Sequence, residues 1–399
     1  MTTRSMRVLI TDADNRSALA ATRSLGARGH TVIIAAERQP ALAAVSRHAS
    51  AVEPCPSPAE DPQGFVAAIM QIVARQRVDV LLPMTEITTL LLTEHQHLLP
   101  EHCRLPFPPT QCVAHASNKA HVLQAAHQLG VPIPATHIVQ SSQEALSLAA
   151  TLDFPAVIKP ARSRVRTASG WVSTAVGYAT NREIYQQKIG NLRAEEYPLL
   201  IQERIQGPGV GVFACFDNGK PIAWFAHRRI REKPPSGGVS VLRESAPLDP
   251  AAVEHARKLL THLGWHGVAM VEFKRDDRDD SLRLMEINGR FWGSLQLAID
   301  AGVDFPALLV EMAAGQHPAP IESYHVGVRS RWFWGDVDSL LTLMIRSRAS
   351  LNLPPNHPGR LRSLWDFVKF GGKQQRDEIL RLDDLRPWLL ETRRWFLGS

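Results

Sequence analysis

The sequence predicts an open, Rossmann-like α/β layer, then an α+β region, then a helical tail. Three observations carry this. Strand and helix signals alternate through the first 115 residues, an antiparallel hairpin is written into 268–290, and helical patterning dominates residues 320–399. At 399 residues, 44% hydrophobic and 21% charged, the chain has the composition of a globular protein of two or three domains. Its longest apolar stretches are broken by Pro83, Glu86 and Glu94, which excludes a transmembrane span.

Arg7 to Ile10 reads as the first strand and Asn15 to Arg28 as a helix. Thr31 to Ala35 follows as a strand, Gln63 to Arg75 as a helix and Val78 to Leu82 as a strand. This resembles half of a dinucleotide-binding fold, but the first turn, Thr11-Asp-Ala-Asp-Asn-Arg16, has no glycine to let a pyrophosphate approach the backbone. A nicotinamide dehydrogenase is therefore disfavoured, even with Glu37 placed after the second strand. Pro106, Pro108 and Pro109 mark a boundary, after which Asn118 to Leu129 forms an amphipathic helix ended by Gly130. Strands are expected at Ala156–Lys159, Leu199–Gln202, Val210–Asp217 and Pro221–His227, and tail helices near Val337–Arg348, Leu361–Phe370 and Leu382–Phe396.

Val268 to Lys274 and Leu282 to Arg290 alternate around a polar turn at Asp276–Ser281. Antiparallel pairing sets Glu272 opposite Glu286 and Phe273 opposite Met285. Val271, Phe273, Met285 and Ile287 then face the core, and Glu272, Glu286, Asn288 and Arg290 share the other face. Two carboxylates about 5 Å apart at Cβ repel each other unless a cation lies between them. Two Glu and one Asn suit Mg²⁺, which keeps waters and takes further ligands from phosphates. A hairpin with one wet, charged face is the plainer alternative.

Lys159 ends a strand beside the Arg- and Ser-rich loop 162–170, where a cation and a closing loop could hold phosphate. The strand from Leu199 turns polar at Gln202-Glu203-Arg204-Ile205. Backbone groups of residues 203–205 could pair with the edge of an adenine there while Ile205 packs on its face. Arg228, Arg229, Arg231 and Lys233, followed by Gly237-Gly238 and Arg243, suggest an anion-handling loop, or else a solvated face. Gly293 and Ser294 open a helix whose amides could hold a substrate anion, or Ser294 is only its cap. The four cysteines show no paired spacing, and His95, His97 and His102 near Cys103 do not match zinc spacing. A reducing cytoplasm is expected. Residues 325–399 hold 13 Lys and Arg against 8 Asp and Glu, and five of the nine Trp. Such a tail fits an acidic membrane surface, but a helical appendage packing its aromatics on the main body is the plainer reading. No nucleic-acid motif accompanies the charge.

In order, Asn118-Lys119, Lys159-Pro160, Gln202-Glu203-Arg204-Ile205, Glu272 and Glu286-Ile-Asn288-Gly-Arg290 resemble the ATP-grasp superfamily, especially its carbamoyl-phosphate-synthase-like carboxylate–amine ligases. The resemblance covers residues 1 to about 318 and stops before the tail. It implies a pre-ATP-grasp domain over 1–115, an ATP-grasp domain over 116–318 with lobes meeting near 200, and a basic, Trp-rich helical extension over 319–399. It implies that Lys119 and Lys159 contact phosphates, residues 202–205 hold adenine, and Glu272, Glu286 and Asn288 carry Mg²⁺, or Mn²⁺ in its place. It implies Arg290 and Lys159 as the catalytic residues, and Arg231, Arg243, Gly293 and Ser294 are candidates for substrate contact. A homodimer is compatible with it.

Two departures stand out. Gly209 occupies the place where many relatives carry a ribose-binding acid, and the lid loop has only Gly170 where relatives are glycine-rich. The expected reaction activates a carboxylate as an acyl phosphate and joins it to an amine, releasing ADP and phosphate. A thioester-forming or phosphotransfer enzyme stays open, as does a nucleotide-binding subunit docking through its tail.

Overall fold

The computed structural model describes residues 5–167, 170–235, 238–347, 350–351, 353, 357–369 and 375–398. Strands β1 (Arg7–Ile10), β2 (Thr31–Ala36), β3 (Ala51–Pro54) and β4 (Val80–Leu82) form a parallel sheet in the order β3-β2-β1-β4. Val8, Leu9 and Ile10 are fully buried, as expected for a strand covered on both faces. Helices α1 (Arg16–Ala27), α2 (Pro62–Gln76) and α3 (Glu86–Glu94) accompany the sheet. The glycine-less first turn is built on Asp12, in the left-handed region at φ +59°. Its carboxylate accepts bonds from Met84 N–H (3.1 Å), Thr85 Oγ1 (2.9 Å) and Thr88 Oγ1 (2.7 Å), fastening the end of β1 to the start of α3.

Helices α4 (Thr110–Ala116) and α5 (Lys119–Gln128) lead to a second sheet, with Asn118 capping α5 through Ala120 N–H and His121 N–H. Strands β5 (Thr136–Val139) and β6 (Ala156–Pro160) belong to it, with α6 (Ser142–Ser147) between them. The expected loop at 162–170 is instead a hairpin of β7 (Arg164–Thr167) and β8 (Gly170–Ser173), with residues 168–169 outside the described set. Strands β9 (Gly177–Ala179) and β10 (Leu199–Glu203), separated by α7 (Arg182–Gly190), complete the antiparallel order β5-β10-β6-β9.

The third sheet contains β11 (Gly209–Asp217), β12 (Lys220–Lys233), β13 (Val239–Ser245), β14 (Gly267–Arg275), β15 (Leu282–Asn288), β16 (Arg329–Arg331) and β17 (Gln375–Asp377). They run in the order β15-β14-β11-β12-β13-β16-β17. Helices α8 (Pro250–His262), α9 (Leu295–Asp300) and α10 (Phe305–Ala313) fall between these strands in the chain, and α11 (Phe333–Ile345), α12 (Arg360–Val368) and α13 (Arg386–Leu397) belong to the tail.

Three further expectations change. Residues 228–233 continue β12 rather than forming a basic loop, because β13 supplies a partner as far as Lys233; Gly237, expected in that loop, lies outside the described residues. In the 268–290 hairpin, Glu272 pairs with Glu286 as expected, but a bulge follows and Phe273 pairs with Leu284. The extra residue, Met285, therefore leaves the core, and Leu284 is buried in its place. The tail is helical but not an appendage, since β16 and β17 extend the central sheet and Ile379 joins the core around β1. Its helices are also offset from expectation: α11 starts at Phe333, and α13 waits until Pro387 can occupy a first-turn position. Phe370, expected to end the middle helix, lies outside the described residues. Among the described residues no helix is long and apolar enough to cross a membrane.

Candidate active site

Glu272 on β14 and Glu286 on β15 face each other directly, and the amide of Asn288 donates to Glu286 Oε1 (3.0 Å). Arg290 Nη2 donates to Asn288 Oδ1 (2.9 Å), so the four residues form one continuous polar row. Fixed cations already relieve the repulsion between the acids. Lys119 Nζ lies 3.4 Å from Glu286, and Arg229 Nη2 lies 3.0 Å from Glu272.

Each cation is positioned by backbone. Lys119 opens α5, its N–H donates to Ala161 O (2.7 Å), and its Nζ donates to Ser163 Oγ (2.7 Å) at the base of the β7–β8 hairpin. Lys159 lies on β6, with Nζ 3.8 Å from the sulfur of the displaced Met285. Arg229 reaches Glu272 across the whole width of β11. Gly211 on that strand pairs with both Glu272 and His227 and places no side chain between them, which leaves the path open.

The charges interact strongly. Burial pushes the Lys159 ammonium down to about 8, with Glu286 pulling the other way. Burial raises the Glu272 carboxyl, opposed by Arg229. Burial works against the Glu286 anion too, yet Lys119 and the Asn288 amide hold its carboxyl below the usual range. Among the described residues no cluster of three or more His, Cys, Asp or Glu could hold a metal ion by itself. Two carboxylates and one amide oxygen nevertheless fit Mg²⁺, a hard cation that takes water and phosphate oxygens beside a few protein ligands.

The 202–205 segment is partly committed elsewhere. Gln202 is buried and donates to Thr136 Oγ1 (2.9 Å). Glu203 N–H donates to Ala135 O (3.0 Å), so it is not free for a base, and its carboxylate accepts from Ala135 N–H (2.9 Å) and Arg278 (2.8 Å). Arg204 is exposed and lies 5.6 Å from the centroid of the Tyr178 ring. Ile205 is buried, and its carbonyl accepts from Lys274 Nζ (3.2 Å).

The candidate substrate contacts fare differently. Arg231 Nε donates to Asp336 (2.7 Å), and Arg243 is fully buried against Glu378 and the Ser240 carbonyl. Both are tied into the tail because β12 and β13 are sheet strands covered by α11 and β16. Helix α9 begins only at Leu295, and Ser294 is buried with its hydroxyl 2.9 Å from His227 Nε2, so its side chain neither caps the helix nor faces a substrate. Gly293 stays exposed beside the Arg16 guanidinium.

Two residues escaped the sequence reading. Glu86, the first residue of α3, joins Lys119, Ser163, Glu286, Asn288 and Arg290 around one cleft. Burial raises its carboxyl, opposed by Arg290 and Lys119. Arg16, the first residue of α1, pairs with Glu378 (2.7 Å) and packs over the Trp332 ring at 4.0 Å. Both lie just beyond the carboxyl ends of parallel strands, where ligands of open α/β sheets bind, and that position was the available signal.

Residues 195–333 match the family model described as "ATP-grasp in the biosynthetic pathway with Ter operon". No curated protein matches the sequence. Among solved structures, a biotin carboxylase–β-γ-ATP complex from Campylobacter jejuni is 16% identical, with a TM-score of 0.63 over 82% of this chain and 74% of the other. An L-amino acid ligase from Bacillus licheniformis is 16% identical, with a TM-score of 0.57 over 78% and 74%. The ADP complex of N5-carboxyaminoimidazole ribonucleotide synthetase is 14% identical, with a TM-score of 0.64 over 99% and 97%. The last alignment runs through the tail, so the likeness does not stop near residue 318 as the motifs suggested. The resemblance to the ATP-grasp superfamily is borne out, and the chain has the ATP-grasp fold.

Proposed function

We propose that this ATP-grasp chain is a ligase that activates a carboxylate with ATP and passes the acyl group to an amine, releasing ADP and phosphate. One observation carries the reading: Glu272 and Glu286 face each other on paired strands, within one row that includes Lys119, Asn288 and Arg290. Such a site suits a triphosphate. The β-γ-ATP complex of the biotin carboxylase, the ADP complex of the synthetase and the MgADP complex of a 2-oxoglutarate carboxylase domain from Hydrogenobacter thermophilus support ATP and Mg²⁺ here.

In this proposal a carboxylate oxygen of the acid attacks the γ-phosphorus and ADP departs. The amine then attacks the acyl carbon, inorganic phosphate leaves, and the ammonium proton is lost to solvent. Lys119 and Lys159 balance phosphate charge while Arg290 faces the transferred phosphoryl group and the carbonyl oxygen that becomes anionic. Glu272, Glu286 and Asn288 would hold Mg²⁺, which neutralises triphosphate charge when bound; Mn²⁺ would take the same oxygen donors. The β7–β8 hairpin, tied to the N-terminal layer by Trp171 N–H to Ala59 O (3.0 Å), shields the acyl phosphate from water. Ile205 and the neighbouring backbone hold the base. The division at about 115 and 318, the two lobes meeting near 200 and a cytoplasmic setting belong to the same proposal.

Hydroxylamine trapping with pooled carboxylic acids and Mg²⁺-ATP tests it. A hydroxamate whose formation matches ADP release supports acyl activation. ADP release that continues with no hydroxamate, across an acid panel that trapping ligases accept, would remove the proposal.

A further inference from the structure

The tail separates its charges. Asp336 takes Arg231 and Arg331, Asp338 takes Lys233 and the Trp395 indole, and Glu378 takes Arg16 and Arg243. Asp384 takes Arg23, and Glu391 accepts from the Trp332 indole at 2.6 Å. These acids thus point inward, with Asp383 left exposed, while Arg346, Arg360, Arg362 and Lys369 lie exposed around α12. Only Asp366, paired with Arg362 at 3.1 Å, offsets them along that helix.

Helix α12 also carries a one-sided apolar stripe. Leu361, Leu364, Trp365 and Val368 recur at helical spacing, and all are exposed, Leu361 by 84% and Trp365 by 61%. The opposite face makes the contacts to the body: Phe367 lies 4.2 Å under the Arg331 guanidinium, and the Asp366 carbonyl accepts from Arg231 (3.2 Å). Ile345, 80% exposed at the end of α11, adds to the apolar area next to Arg360, which donates to the Leu343 and Arg346 carbonyls. Among the described residues nothing covers this stripe.

We propose that α12 is a docking face for an anionic lipid surface, with Leu361, Leu364, Trp365 and Val368 entering the headgroup boundary and Arg346, Arg360, Arg362 and Lys369 meeting the lipid phosphates. An apolar stripe with a Trp, rimmed by long cationic side chains, is the composition of helices that lie in a membrane interface. A second copy of the chain fits less well, since a two-fold contact would bring the four cations against themselves. On its other side, Ser363, Asp366, Phe367 and Lys369 line a cavity with Arg229 and Arg231 of β12, and the four apolar residues lie outside that lining.

Flotation of the full chain tests this with phosphatidylcholine vesicles containing phosphatidylglycerol and with phosphatidylcholine alone. Binding is expected only to the anionic vesicles and is expected to fall with salt. Replacing two cations, Arg362→Gln with Lys369→Gln, is expected to weaken it about thirtyfold. Leu361→Ser with Trp365→Ser is expected to abolish it while circular dichroism and Mg²⁺-ATP binding stay unchanged. Absence of binding to anionic vesicles, or equal binding by both variants, overturns the proposal. So does light scattering that shows a dimer dissolved by the Leu361 and Trp365 changes, or stable capture of an acidic protein by this face without lipid.

Discussion

Replacing Glu286 with Gln keeps the shape of the side chain and removes one charge from the centre of the site. Lys119 Nζ lies 3.4 Å away, a spacing at which unit charges attract by roughly 5 kcal/mol at an effective dielectric of 20. Solvent contact at a side chain 30% exposed cuts this by about half, and a divalent ion, carrying twice the charge, restores it to roughly 5 kcal/mol. Turnover should therefore fall by about three to four orders of magnitude. ADP release in the hydroxylamine assay measures this, and melting with ATP plus Mg²⁺, against ATP plus chelator, separates the metal from the nucleotide. The variant should keep the gain in Tm from ATP alone and lose the increment that Mg²⁺ adds to the parent protein. A variant with the full Mg²⁺ increment and turnover within about tenfold of the parent would refute the metal assignment.

Lys159 supplies a pH test with a defined sign. Burial lowers its ammonium to about 8, so the neutral form gains as pH rises and the phosphates lose a cation; ATP affinity should weaken from about pH 7 to about pH 9. Calorimetric titration of the parent and of Lys159→Arg checks it, and an unchanged slope in the Arg variant would count against the role. Gly289 separates Asn288 from Arg290, and a Cβ there would lie 2.5 Å from the Trp265 ring, which is fully buried. Gly289→Ala should cost about 1–3 kcal/mol in urea unfolding and should also lower turnover by moving both neighbours; an active, equally stable variant would show the ring has room. Glu378→Gln leaves Arg243 buried without its counter-charge and should destabilise by about 3–5 kcal/mol; a change in urea midpoint equivalent to less than about 1 kcal/mol would mean the pair contributes little.

The hairpin was legible because its alternation and polar turn are local, and the opposition of Glu272 and Glu286 follows from strand period alone. The bulge that frees Met285 was not, because one extra residue leaves no mark in a period-two pattern. Arg231 and Arg243 were misplaced for a different reason. A cluster of cations reads as an anion site until its partners are known, and Asp336 and Glu378 lie more than a hundred residues away. Glu86 was hidden because a lone acid at the start of a helix is ordinary, and only packing of the N-terminal layer against β15 gives it neighbours. Strands of three residues, such as Arg329–Arg331 and Gln375–Asp377, are too short to show any period.

Arg16 and Arg23 on the first helix find their acids at Glu378 and Asp384. A ribosome makes those acids well after their partners. Until residues 375–384 emerge, Arg16 and Arg23 on the first helix and Arg243 in the central sheet lack their counter-ions, and the body must wait with guanidinium groups still in water. Assembly of the body is thus coupled to the emergence of residues 375–384, so a chain interrupted before residue 375 should accumulate as an open, chaperone-bound form rather than as a smaller folded protein.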